Sequence, residues 1–323
     1  MDADVLVVGT GLAGAAAARA LADAGFRVRA LDKGRGPGGR LSTRRKGAGS
    51  FDHGAATLQA NTPVFARWLS EEAASGRAAR WSEAYVGLPG MSALVAGLLD
   101  GLDVHWSVAV AALHFEGGQW RAIHADGREV GAAQALVLAL PAPQALGLLR
   151  AGALSNDVVP PQMLEALAGI RYAPCWAALL ETEPSAMRRL RDSGPGDVVE
   201  AIYREADKPG RSNSGHWVLQ ATTAWSEANL ELDAGTAAQH LLDAFMAMTG
   251  IGPEAIHDVS AHRWRYARPL DVLDPRPLEG NGLALAGDAF GEPDSADLPP
   301  AERAWLSGRA AAGRLIAARQ PKS

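Results

Sequence analysis

The first forty residues confine this chain to very few architectures. Val5-Leu6-Val7-Val8 is a wholly apolar, β-branched run of the kind a strand covered on both faces requires. Gly9-Thr10-Gly11-Leu12-Ala13-Gly14 follows at once, and then an alanine-rich stretch from Ala15 to Ala24 that favours helix and is closed by Gly25. Arg27 to Leu31 reads as a second strand with Asp32 at its tip. Strand, glycine turn, helix, strand and acid, in that order, specify a βαβ unit that binds a dinucleotide. Gly9 permits the tight turn, Gly11 lets backbone lie against the pyrophosphate, and Gly14 lets helix and strand approach closely. The helix start at Leu12 and Ala13 offers free N–H groups and the positive end of its dipole to the phosphates. Asp32 would accept hydrogen bonds from ribose hydroxyls. In a chain with 36 glycines a lone GxGxxG is often a plain turn, and here the flanking strands and acid argue against that.

A second glycine run makes flavin the better choice over nicotinamide. Lys33-Gly34-Arg35-Gly36-Pro37-Gly38-Gly39-Arg40-Leu41 follows the acid directly, where nicotinamide dehydrogenases usually carry nothing similar. Gly38 and Gly39 would let main chain pass beside the cofactor, and Arg40 could grip phosphate as a bidentate fork. A flexible loop with a solvated arginine is the alternative. A third signal comes near the far end, where strand-like Leu283-Ala284-Leu285-Ala286 leads into Gly287-Asp288 and a helix opening at Pro299-Pro300-Ala301-Glu302. Asp288 would meet a ribityl chain. A helix N-terminus at Ala301 and Glu302 would face the pyrimidine end of the ring, where reduced flavin carries negative charge. FAD is the cofactor these three segments call for together.

Bulk properties remove other function classes. A formal net charge of −5 and a pI near 5.9 disfavour nucleic acid, which needs a basic face. No apolar run reaches the roughly 18 residues of a membrane span. Cys175 is the only cysteine, so neither an intrachain disulfide nor a thiolate metal site is expected. The acidic N-terminus runs straight into a strand, leaving no room for a signal peptide, and a cytoplasmic location is the expectation. Histidine spacing suggests no metal, and no G-x-S-x-G elbow occurs.

Set side by side, these segments resemble the renalase family of FAD-dependent oxidoreductases, particularly its bacterial members. The resemblance rests on Asp32 through Arg44, Phe51-Asp52-His53-Gly54-Ala55, Gly90-Met91-Ser92 and Leu140 through Ala145. It continues with Tyr172 through Ala177, Lys208-Pro209-Gly210-Arg211, Trp225-Ser226, His262 through Ala267, Gly287-Asp288 and Ser307-Gly308. It implies an α/β fold like that of p-hydroxybenzoate hydroxylase and the amine oxidases, with a Rossmann-type FAD-binding domain and an inserted α+β substrate domain. It also implies an oxidase of 2- or 6-dihydro-NAD(P) isomers that returns NAD(P)+ and passes electrons to O2 as hydrogen peroxide. Gly54 and Ala55 would then lie at the flavin. The family usually continues with Gln and Tyr, whereas this chain has Ala56 and Thr57, which leaves its substrate in question.

The expected cofactor domain comprises residues 1–60, 92–145 and 276–323, and the substrate domain 61–91 and 146–275. Val108 to Leu113 would be a strand whose Val110 meets adenine, and Gly117-Gly118 would turn the first hairpin of a meander. Later strands are expected at Trp176–Leu180, Val198–Tyr203, His216–Thr222 and His262–Tyr266, and a helix over Ala237–Met248 capped by Thr236 with Gln239. Aromatic walls would stack the substrate, with Trp176, Trp225 and Trp264 as candidates beside Thr57; Trp217 and Tyr266 share the region, and any of these could instead be core. His53 is either a base beside the ring or a loop histidine, and Arg211 and Arg265 are either phosphate ligands of the substrate or surface ion-pair members. Amine oxidases of this fold often hold a lysine near flavin N5. Only Lys33, Lys46, Lys208 and Lys322 exist here, none well placed, which counts against amine chemistry. A hydroxylating monooxygenase and a non-catalytic FAD-binding protein complete the alternatives.

Overall fold

A computed structural model describes residues 3–46, 49–184, 196–212, 215–276 and 280–319. Its organising element is a five-stranded parallel sheet assembled from distant segments. Strand Val5–Val8 is central, pairing with Val28–Leu31 on one side and Ala135–Leu138 on the other. Leu283–Leu285 and Asp103–His105 form the edges. Val5, Leu6 and Val7 are fully buried, as a parallel strand covered on both faces must be. Helix Leu12–Asp23 crosses one face and packs along the last helix, Pro300–Arg319. A Cβ on Gly308 would lie 2.0 Å from the Ala13 carbonyl oxygen, so only glycine permits this helix contact. The other face carries a three-stranded antiparallel sheet, Val110–Glu116, Gln119–His124 and Glu129–Ala133, with helix Ala142–Ala151. Its first hairpin turns on Gly117 and Gly118, both at positive φ (57° and 74°).

A second, four-stranded sheet is wholly antiparallel in the order Val199–Arg204, His216–Ala221, Tyr172–Thr182, Ile256–Pro269. Two of its strands run well beyond the spans expected from sequence, because Tyr172–Thr182 and Ile256–Pro269 pair with each other along nearly their whole length. Helix Ala234–Thr249 covers the face formed by Trp176, Ala178, Leu180 and Leu219. Its N-cap is Asp233 rather than Thr236: the Asp233 carboxylate accepts from the Gly235 and Thr236 amides, which starts the helix three residues earlier. Helix Pro63–Ala74, with Phe65, Trp68 and Leu69 turned inward, and helix Ser92–Leu99 lie near the parallel sheet. The architecture is therefore α/β, a Rossmann-type parallel sheet joined to a mixed sheet-and-helix region. No described helix is long and apolar enough to cross a membrane.

Candidate active site

Two connected spaces open where the parallel sheet meets the antiparallel one. The first is a long groove of about 1590 Å³ running over the C-terminal ends of the parallel strands. Gly9, Gly11, Asp32, Lys33, Gly39, Arg40 and Val110 line it. The second is a cavity of about 330 Å³ lined by Leu12, Ala13, Leu41, Gly54, Ala55, Thr57, Gly287, Asp288 and Ala301. Gly11, Arg40, Ala139, Leu140 and Trp264 border both.

The groove has the construction a dinucleotide needs. Asp32 stands at the tip of its strand, its Oδ2 accepting from the Thr10 amide (2.6 Å) and hydroxyl (2.8 Å) and its Oδ1 from the Gly34 amide (2.7 Å). Oδ2 is saturated by these two donors, and Oδ1 keeps a lone pair free for a ribose hydroxyl. Gly9 adopts φ +93°, and a Cβ on Gly14 would meet the Gly9 carbonyl oxygen at 1.9 Å, so Gly14 serves packing and lines neither space. A Cβ on Gly11 would meet no protein atom within 4 Å, although Gly11 borders both spaces; it would fill the cradle at the helix start. FAD fits this arrangement: Asp32 would hold its ribose, the Leu12–Asp23 helix N-terminus its phosphates, and the Gly54–Ala55 and Gly287–Ala301 walls its ring.

Several candidate residues take other parts than expected. Arg40 commits both terminal nitrogens to Asp288, at 2.6 and 2.7 Å, and also donates to the Tyr266 and Ala267 carbonyls. Its guanidinium thus ties the first glycine-rich segment to the last, where a phosphate partner was expected. Glu302 is fully buried and turned away from the cavity: it accepts from the Asn61 and Thr62 amides (2.8 and 2.7 Å) and from the Thr62 hydroxyl, holding the start of helix Pro63–Ala74. Trp176 is core, its indole N–H donating to the Asn229 carbonyl at 3.1 Å. Trp225 lies on the short helix Thr223–Ala228 against His240 and borders neither space. Trp217 packs on Phe245. Arg265 pairs with Glu231, and Arg211 is buried against Asp52, so neither has its charge free for a substrate phosphate. Lys208, in the turn after Asp207, is buried, its ammonium 3.0 Å from Asp52 and 2.9 Å from Glu205. Lys322 is outside the described residues.

Trp264 is the aromatic that reaches the cavity, its indole N–H donating to the His53 carbonyl at 2.7 Å. His53 lines the groove, with its ring against His262 (centroids 5.1 Å apart) and Trp264 (5.2 Å). Burial, with the charges of His262 and Arg44, pushes its pKa down to about 4, so the imidazole is neutral at pH 7. Sequence reasoning missed the rest of the cavity wall: Gln59, Cys175, Tyr203, Gln220 and Arg268. Burial raises the pKa of both the Cys175 thiol and the Tyr203 phenol, keeping each protonated. Gln220 donates to the Gly54 carbonyl at 2.6 Å, and Arg268 pairs with Glu200 at 2.7 Å. Gln220 could have been found as the one amide in the otherwise apolar strand segment Trp217–Ala221.

Comparison with known proteins agrees with this construction. Residues 7–71 match the NAD(P)-binding Rossmann-like domain. Among solved structures, an Exiguobacterium sp. 255-15 protein provisionally assigned as a protoporphyrinogen oxidase is similar over 99% of this chain and 100% of its own, with TM-score 0.74 and 13% identity. A wild-type putrescine oxidase bound to putrescine (TM-score 0.69, 14% identity) is matched over 98% of this chain and 99% of its own. Cyclohexylamine oxidase from Brevibacterium oxydans IH-35A (TM-score 0.66, 13% identity) is matched to the same extents. At such identities these structures speak for the fold. Residues 74–316, most of the chain, match the family model for flavin containing amine oxidoreductase, and with a dinucleotide groove opening onto that region the chain belongs to this family of FAD-dependent oxidoreductases.

Proposed function

We propose that the chain is an oxidase of dihydronicotinamide isomers, taking a hydride from 2- or 6-dihydro-NAD(P) to flavin N5, with O2 as final acceptor and NAD(P)+ and hydrogen peroxide as products. The observation that carries this reading is a cavity without a free base. Tyr203 and Cys175 are held protonated, the Asp288 carboxylate is engaged by Arg40, and no lysine lines the cavity among the described residues. A dihydropyridine leaves as an aromatic cation when its C–H bond gives up a hydride, so no N–H proton has to be removed. When bound, FAD supplies the two-electron acceptor and the route to O2. The protein then has to stack, orient and dry the substrate. The Trp264 indole and the Leu140 side chain give an apolar wall, and Gln59, Thr57 and Gln220 offer polar groups that fix orientation.

Charge around the groove favours the same substrate. Of the eight Lys or Arg residues that line it, Arg40, Arg77, Arg263 and Arg265 are paired with carboxylates, which leaves Lys33, Arg35, Arg44 and Arg45 against Asp32 and Asp100 in a chain of net charge −5. Arg44 and Arg45 have no carboxylate partner among the described residues. Such a field attracts a ligand that carries phosphates and repels an alkylammonium ion. Oxidation of an amine, the chemistry in the names of two structural neighbours, is the rival reading. Ala56 and Thr57 line the cavity for whichever substrate is taken.

Anaerobic mixing of the FAD-loaded protein with 2-dihydro-, 6-dihydro- and 4-dihydro-NAD(P) distinguishes these. Rapid loss of the visible flavin band with the 2- or 6-isomer alone is expected. Bleaching only by the 4-isomer would make the chain a reductase, and bleaching only by amines would replace the proposal with amine oxidation.

A further inference from the structure

Beside loop 52–55, whose last two residues line the cavity, lies a group of four ionisable side chains that the proposed reaction does not use. Asp52, Glu205, Lys208 and Arg211 have side chains only 0%, 1%, 0% and 3% exposed. Two carboxylates face two cations. The Asp52 Oδ2 accepts from Lys208 Nζ at 3.0 Å and Arg211 Nη2 at 2.6 Å, while its Oδ1 accepts from the Thr43 hydroxyl at 2.6 Å and the Met91 amide at 3.0 Å. The Asp52 amide in turn donates to Glu205 Oε1 at 3.3 Å, and Lys208 Nζ reaches the same oxygen at 2.9 Å. Lys208 also lies 5.7 Å over the ring of Tyr203, which lines the cavity.

A dry ionic cluster is a poor source of net stability, because desolvation offsets the Coulombic attraction. What it supplies is geometry, since every charge is held between two of the opposite sign. The residues after Asp52 are fixed from the same side. The His53 carbonyl accepts from Trp264 and the Gly54 carbonyl from Gln220, both on strands of the antiparallel sheet, and the Ala55 amide donates to the Arg40 carbonyl at 2.9 Å. A Cβ on Gly54 would lie 1.9 Å from that same Arg40 oxygen, so loop and glycine-rich segment are in direct contact. Four consecutive residues are thus anchored one by one, and the last two form cavity wall.

We propose that Asp52, Glu205, Lys208 and Arg211 are positioning residues that lock loop 52–55 onto the antiparallel sheet and thereby set the wall against which the flavin ring rests. The four-charge cluster is the foundation and the Trp264 and Gln220 bonds are its upper fastenings. This rests on FAD binding by the family and is independent of which substrate is oxidised.

The test uses the FAD-loaded protein and a charge-balanced double substitution, Asp52→Asn with Lys208→Met, which leaves Glu205 paired with Arg211. A midpoint of thermal unfolding within a few degrees of the parent is expected. FAD binding should be at least tenfold weaker, the visible-region circular dichroism of the flavin altered, and amide exchange at residues 53–55 faster. A folded double variant with parental FAD affinity and dichroism overturns the proposal. If the double variant does not fold, Gln220→Met decides, since it removes the bond to the Gly54 carbonyl and leaves the four charges in place. Altered flavin dichroism with at least threefold weaker FAD supports the lock, and parental values for both overturn it.

Discussion

Replacing His53 with Phe tests the electrostatics of the site directly. The imidazole is 6% exposed and packed edge-on to His262 and tilted against Trp264. Phenylalanine keeps the ring volume and those contacts while removing the titration. In the folded protein the His53 pKa falls from 6.5 to about 4, mainly through burial, with His262 and Arg44 adding to the shift. A folded-state pKa below the unfolded value means that the unfolded chain binds the proton first. The contribution to stability is therefore present above pH 6.5 and lost as pH falls toward 4. Taking 1.36 kcal/mol per unit and these two pKa values, the loss from pH 7 to pH 5 is about 2 kcal/mol. Other groups titrating in this range act in parent and variant alike, so the difference between their pH profiles isolates His53. Urea unfolding at constant excess FAD, at pH 7, 6 and 5, measures it. The parent should lose about 2 kcal/mol more than His53→Phe over that range. Parallel profiles would show that His53 is solvated and titrates normally, which would also reopen its candidacy as a base at neutral pH.

Other substitutions have equally definite outcomes. Asp32→Ala removes the acceptor at the ribose end of the groove, and FAD retention measured by fluorescence of the released cofactor should weaken at least tenfold; unchanged content would take Asp32 out of the ribose site. Gly308→Ala places a methyl 2.0 Å from the Ala13 carbonyl oxygen and should cost about 1–3 kcal/mol in denaturant unfolding, because two helices must separate to accept it. Glu302→Ala strips the Asn61 and Thr62 amides of their acceptor in a buried setting, for a loss of about 1–3 kcal/mol, with little change in the flavin spectrum since Glu302 does not border the cavity.

The cofactor half was legible because its signals are local. A βαβ unit declares itself through strand periodicity, glycines at fixed offsets and an acid at the second strand tip, all within 32 residues. The parts of Arg40, Glu302 and Lys208 were not legible, because each is decided by a partner more than 150 residues away: Asp288, Asn61 with Thr62, and Asp52. A bidentate arginine after a glycine run looks the same in sequence whether a phosphate or a carboxylate awaits it. Asp233 displaced Thr236 as the helix cap for a smaller reason, since both residue types cap well and only the start of the apolar face distinguishes them.

The error over Trp176 is the most instructive, because strand register forbids Trp176 and Trp264 from sharing a wall. Residues directly opposite in an antiparallel pair point to the same side of the sheet, and the side alternates at each step. Cys175 faces Trp264, Ala177 faces both His262 and Gln220, and Leu179 faces Val218. Cys175, Trp264 and Gln220 all line the cavity, and Tyr203, opposite Val218, does so too. One step along, Trp176 faces Arg263, whose guanidinium lies 5.6 Å over the Trp176 ring, and Ala178 and Leu180 continue that side into the core beneath helix Ala234–Thr249. Four strands therefore present one chemically distinct surface to the cavity, containing a single indole, a thiol, a phenol, an amide and the Arg268 guanidinium. A one-residue slip of either long strand would exchange that set for tryptophan and arginine. The Trp264 bond to the His53 carbonyl acts against such a slip of the Ile256–Pro269 strand, since it would lose its partner if that strand moved by one position. Register, more than residue type, decides what the substrate meets.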